Sequence, residues 1–69
     1  LKDYMGLYIK DQKLCITTYR GVEVFDYTLT KVGEVAASKP VKQAHFNGQS
    51  WIFLVWREDG NLDIEEAPP

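Results

Sequence analysis

Ser50-Trp51-Ile52-Phe53-Leu54-Val55-Trp56-Arg57 is the stretch whose reading decides the fold. Its apolar run is too short for a core helix, is dominated by aromatic and β-branched residues, and is bracketed by turn dipeptides, so it reads as a strand. Asn47-Gly48 precedes it. This dipeptide favours a type I′ hairpin turn, whose two central positions need positive φ. Asp59-Gly60 repeats the device before Leu62 to Ala67. With Val41 to Phe46 as the preceding strand, the chain is expected to close in a three-stranded antiparallel meander. Pro68-Pro69 cannot extend it, because proline donates no ladder hydrogen bond.

The register of the second hairpin sets which side chains share a face, since one residue of slip turns every side chain over. A two- or four-residue loop puts Val55 opposite Ile64. The core face then carries Trp51, Phe53 and Val55 with Leu62 and Ile64. A three-residue loop pairs Trp56 with Ile64 and sends Ile52, Leu54 and Trp56 to the core instead. Either way, an apolar triplet with a tryptophan faces away from Leu62 and Ile64. Something must shield it: a curved barrel or second layer, a second copy of the chain, or another protein.

Upstream, short β-favouring blocks alternate with turn residues. Met5 to Lys10 puts Met5, Leu7 and Ile9 on one face, and Asp11-Gln12 breaks the pattern. Lys13 to Tyr19 opposes Leu14, Ile16 and Thr18 to Cys15, Thr17 and Tyr19, with Arg20-Gly21 as the next turn. Val22 to Thr30 is apolar on both sides, which predicts a bulge that transfers the buried face. Between Lys31 and Pro40, Val32, Val35 and Ala36 have helical spacing, with Thr30 as cap and Pro40 as stop. A short helix near 31–38 therefore competes there with a bulged strand, and Gly33 tips the balance to strand.

These elements predict one all-β domain over residues 1–69, a small antiparallel barrel or strongly bent sheet of five to six strands. In length and hairpin rhythm the chain is similar to SH3-like barrels, a fold-level likeness that implies no function. At 69 residues the chain has room for one modest core and no deep cavity. Its 45% apolar content suffices for that core.

The net charge of −2 identifies no partner, but its distribution is uneven. Residues 58–69 hold five of the ten acids and none of the eight bases, giving an acidic final strand able to steer a partner. Cys15 is the single cysteine, so an internal disulfide is impossible and a reducing compartment is expected. Neither a membrane-length apolar run nor a signal peptide is seen, which makes the expectation a soluble, cytoplasmic protein.

No constellation here carries catalysis, and neither a cofactor nor a metal centre is expected. Cys15 and His45 are the one nucleophile and base pair available, without an orienting third group. Asp59, Asn61, Asp63 and Glu65 alternate as in a calcium loop, but Gly60 stands second where such a loop needs glycine sixth. The reading is therefore a non-enzymatic protein-interaction module, self-associating or binding another protein, with Trp51, Phe53 and Trp56 as anchors and Tyr19 and Tyr27 as contributors. A nucleic-acid-binding barrel is the alternative, with Tyr8 as a stacking face and Lys10, Lys13 and Arg20 as phosphate contacts. The low net charge opposes it.

Overall fold

A computed structural model describes residues 4–68. Seven strands follow one another: β1 (Tyr4–Lys10), β2 (Lys13–Thr18), β3 (Gly21–Phe25), β4 (Lys31–Ala36), β5 (Val41–Phe46), β6 (Trp51–Trp56) and β7 (Leu62–Ala67). They form two antiparallel meanders, a four-stranded sheet in the order β1-β2-β3-β4 and a three-stranded sheet in the order β5-β6-β7.

This corrects two expectations, the strand count, which is seven where five to six were expected, and the architecture. The domain is a pair of open sheets, neither a closed SH3-like barrel nor one strongly bent sheet. Closure would need β4 to pair with β5 and β7 with β1, and among the described residues neither pairing is made. The chain leaves β4 at Ala37, whose amide donates to the Arg20 carbonyl, and enters β5 at Val41, whose amide donates to the Tyr19 carbonyl at 2.7 Å. Pro40 offers only its carbonyl, which accepts from the Trp56 amide. The crossing thus ties the β2–β3 turn to the second sheet and prevents β4 from continuing into β5. Over 31–38 the strand reading holds, as β4, and the competing helix is absent. Val35 lies opposite Val22 and packs on the core, a pairing that outweighs the helical spacing. The bulge expected within Val22 to Thr30 is not on that strand: β3 ends at Phe25, and the extra residue is Val32 on β4, between the Val24–Gly33 and Phe25–Lys31 pairs.

The turns follow φ sign rules. Asp11 and Gln12 both have positive φ (51° and 60°), so the type I′ pattern sits there. Around Asn47 the central pair is Gly48-Gln49, and only Gly48 has positive φ (100°), the sign pattern of a type II′ turn. Asn47 stands outside that pair, its side-chain oxygen accepting from the Gln49 and Ser50 amides. Between β3 and β4, the Asp26 carboxylate accepts from the Thr28 hydroxyl and from the Thr28 and Thr30 amides. These bonds, the Thr28 hydroxyl foremost, hold the carboxyl below its usual range.

One core lies between the sheets. The first contributes Cys15 and Val22 with Val24 and Val35 packed behind; the second contributes Val41, Ala44, Trp51, Phe53, Val55 and Ala67. The Trp51 ring meets Tyr8 edge-on at 5.6 Å and Phe46 at 5.4 Å. The Tyr8 hydroxyl donates across the sheets to the Ala44 carbonyl at 2.9 Å. A tyrosine with an apolar body and one satisfied polar tip suits that seam.

Candidate functional site

The β6–β7 hairpin decides which surface is free. Its loop is Glu58-Asp59-Gly60, with Gly60 at φ 86°, and the Arg57 amide donates to the Asn61 carbonyl. Trp56 therefore lies opposite Leu62 and Leu54 opposite Ile64. Neither anticipated register is the one found. Ile52, Leu54 and Trp56 do share a face with Leu62 and Ile64, as the three-residue reading grouped them. That face is the outer one, however, and the core is made by Trp51, Phe53 and Val55. Leu62 and Ile64, taken as inward markers, point out, and the residue of β7 buried in the core is Ala67, opposite Trp51.

Trp51 (2% exposed) and Phe53 (0%) are thus enclosed by their own chain and present no surface to a partner. A homodimer closed over Trp51, Phe53 and Val55 is ruled out for the same reason. Trp56 (41%), Leu62 and Ile64 (69%) are exposed, and Ile52 and Leu54 are half-buried beside them. The Lys42 ammonium stands 6.0 Å over the Trp56 ring. Next to this stripe lies an open groove of about 330 Å³, lined by Gln43, His45, Ile52, Leu54 and Ile64 together with Tyr8. Of the remaining expected anchors, Tyr19 is exposed in the β2–β3 turn, with the Arg20 guanidinium 5.2 Å from its ring. Its carbonyl and that of Pro40 bind successive parts of the second sheet, which sets Tyr19 near the Trp56 end. Tyr27 is exposed in the loop at the other end of β3, away from Trp56.

The acids of β7 are largely engaged in holding the sheet. Glu65 accepts from the Ser38 amide and hydroxyl, and Glu66 from the Ser50 hydroxyl at 2.6 Å. Asp59 pairs with Arg57 at 3.1 Å. Glu65 and Glu66 keep their charge, because their serine donors are neutral; Asp59, in the loop before β7, has a cationic partner in Arg57.

No protein-family model, curated protein or solved structure matches the chain. Its own geometry is then the whole basis for a functional reading.

The basic and tyrosine residues of the first half are not brought together. Lys10 lies 4.8 Å over the Phe46 ring and pairs with Asp11, and Tyr8 is engaged at the seam. Lys13 starts β2 while Arg20 lies beyond its other end, roughly 20 Å away at about 3.3 Å per residue. Cys15 and His45 are also apart, Cys15 in the core and His45 on the outer face of β5. Burial pushes the Cys15 thiol up, partly offset by Lys10, so the thiolate is scarce at neutral pH. Among the described residues, no three His, Cys, Asp or Glu side chains gather to hold a metal, and no helix is long and apolar enough to cross a membrane.

Sequence reasoning missed a second free apolar face. On the outside of the first sheet, Leu7 lies opposite Ile16, and Ile9, Leu14 and Phe25 form the adjacent row. Leu7 is 51% and Ile9 60% exposed. The alternation in β1 marks these side chains as one set, but nothing in β1 alone says which set faces in.

Proposed function

We propose that this domain is a non-enzymatic protein-interaction module whose contact face is the outer surface of β5, β6 and β7, centred on Trp56 and Ile64. One observation carries the reading: Ile52, Leu54, Trp56, Leu62 and Ile64 form a continuous apolar stripe across two strands although the core is already complete without them. A solvated sheet face ordinarily alternates to polar residues, and contiguous apolar surface marks contact sites. Fully burying one such side chain stabilises by about 1.5–3 kcal/mol, so covering several gives a usable affinity. Trp56 with Lys42 above it supplies the anchor, and Gln43, His45 and Glu66 form the polar rim. The single buried thiol fits a reducing, cytoplasmic setting.

The test compares what immobilised wild-type chain and Ile64→Glu retain from cell extract, with binding of the recovered protein then measured on both. Ile64 is too exposed for the fold to depend on it. The variant is expected to melt like wild type and bind at least about tenfold more weakly. Equal binding by both chains overturns the assignment of this face.

A further inference from the structure

The two meanders are built to one plan, with their faces exchanged. The hairpin turns Asp11-Gln12 and Gly48-Gln49 correspond at an offset of 37 residues (48 less 11). The same offset superposes β1 on β5 and β2 on β6. It sets Ile9 on Phe46, Leu14 on Trp51 and Ile16 on Phe53. It also sets Cys15 on Ile52, Thr17 on Leu54 and Tyr19 on Trp56. The third strands keep the correspondence: Glu23 lies opposite Ile16 as Glu65 lies opposite Phe53, and Val22 opposite Thr17 as Ile64 opposite Leu54. The outer face of the first sheet is therefore the counterpart of the inner face of the second. Conversely, the outer face of the second is the counterpart of the inner face of the first.

Within the chain, the inner face of the first sheet packs on the inner face of the second. Each half of that pairing has a counterpart left uncovered. We propose that a second copy of this chain repeats the pairing: the outer face of its first sheet (Leu7, Ile9, Leu14, Ile16, Phe25) seats on the outer face of the second sheet (Ile52, Leu54, Trp56, Leu62, Ile64) of the first copy. This rests on the contact face assigned above and names its occupant. The contact is head-to-tail, so each copy keeps one free face of each kind and the assembly grows as a stack or closes into a ring. Two carboxylates near it are held within their own sheets, one by an ion pair and one by a neutral hydroxyl that leaves its charge in place. Glu23 is paired with Lys31 at 3.1 Å, and Glu66 is bonded to Ser50. The smaller of the two faces, three strands by six residues, covers only about 300 Å² per partner at usual strand spacings, so the association is weak and needs concentrated protein.

Two exposed substitutions, one per face, test it by sedimentation velocity from about 10 μM to about 1 mM, the range in which a small interface shows. Wild type is expected to rise above the mass of two chains as concentration increases. Ile9→Glu and Ile64→Glu are each expected to stay monomeric, because each lacks one of the two faces a contact needs. An equimolar mixture of the two is expected to form dimers and nothing larger, joining the intact first-sheet face of one to the intact second-sheet face of the other. Leu7→Glu, on the same face as Ile9, replaces Ile9→Glu if circular dichroism shows that variant unfolded. Wild type that remains monomeric at the highest concentration, or a mixture no heavier than its separate components, overturns head-to-tail stacking. If Ile64→Glu still loses a different protein in that case, the interaction-module reading stands and only its occupant is wrong.

Discussion

Phe53→Ala is expected to bring the domain close to complete unfolding at room temperature. Phe53 is the most enclosed large side chain, at the middle of β6 between Ala44 on β5 and Glu65 on β7. Its cross-strand neighbours are an alanine and a glutamate held by Ser38, neither able to move into the space. Truncating a buried phenylalanine costs about 3–5 kcal/mol, with the upper end where the site cannot collapse. At about 0.05–0.15 kcal/mol per residue, a domain of this size has roughly 3–10 kcal/mol in total. The melting temperature, followed by circular dichroism, should fall by roughly 20 °C or more. Ile64→Ala on the outer face should change it by only a few degrees. Equal shifts for the two would contradict the assignment of inner and outer faces.

Gly21→Ala should be nearly as damaging, for a reason that does not involve the hydrophobic core. Gly21 begins β3 at φ 133°, which disfavours any side chain. A Cβ there would also lie 2.2 Å from the Val35 carbonyl oxygen and 3.0 Å from the Ala37 amide nitrogen. Both are backbone atoms of the segment that leaves β4 and crosses to the second sheet, where Ala37 bonds to the Arg20 carbonyl. Room for one methyl group can come only by displacing that crossing. Backbone strain of about 1–3 kcal/mol adds to an overpacking cost of similar size. Gly48→Ala is the control, since Gly48 has positive φ but open space around its missing Cβ. Chemical denaturation should show the loss at Gly21 to be at least about twice that at Gly48, because only the first combines strain with a clash.

Much of the strand pattern is legible in the sequence, since alternation and turn dipeptides are local properties of the chain. β2, β6 and β7 fall within a residue or two of their expected limits. What is not local is harder to read. The turn at Asn47 gives a hairpin as expected, yet the chain uses Gly48-Gln49 as the central pair because the Asn47 side chain caps the loop from outside it. One residue of loop geometry between β6 and β7 then decides the faces. Leu62 and Ile64 are the most apolar residues of β7, so hydropathy alone marks them as inward. The small Ala67, opposite Trp51, is the residue of β7 that enters the core instead. The open pair of sheets was illegible for a related reason. The segment 37–40 is stopped from pairing by hydrogen bonds to Arg20, Tyr19 and Trp56, all distant in sequence or set by packing. The correspondence between the meanders also escapes a reading by residue type. Few positions share an identity at the 37-residue offset, and it emerges only once pairing registers are known.

Acrylamide quenching of the two tryptophans, one at a time, probes the division of β6 into an inner and an outer face most directly. With Trp56→Phe, the remaining Trp51 should emit at short wavelength and resist quenching. With Trp51→Phe, the remaining Trp56 should emit near the wavelength of solvated indole and be quenched several-fold more efficiently, in line with exposures of 2% and 41%. Comparable quenching of both, or a protected Trp56 beside an accessible Trp51, would contradict the fold and remove the contact face with it.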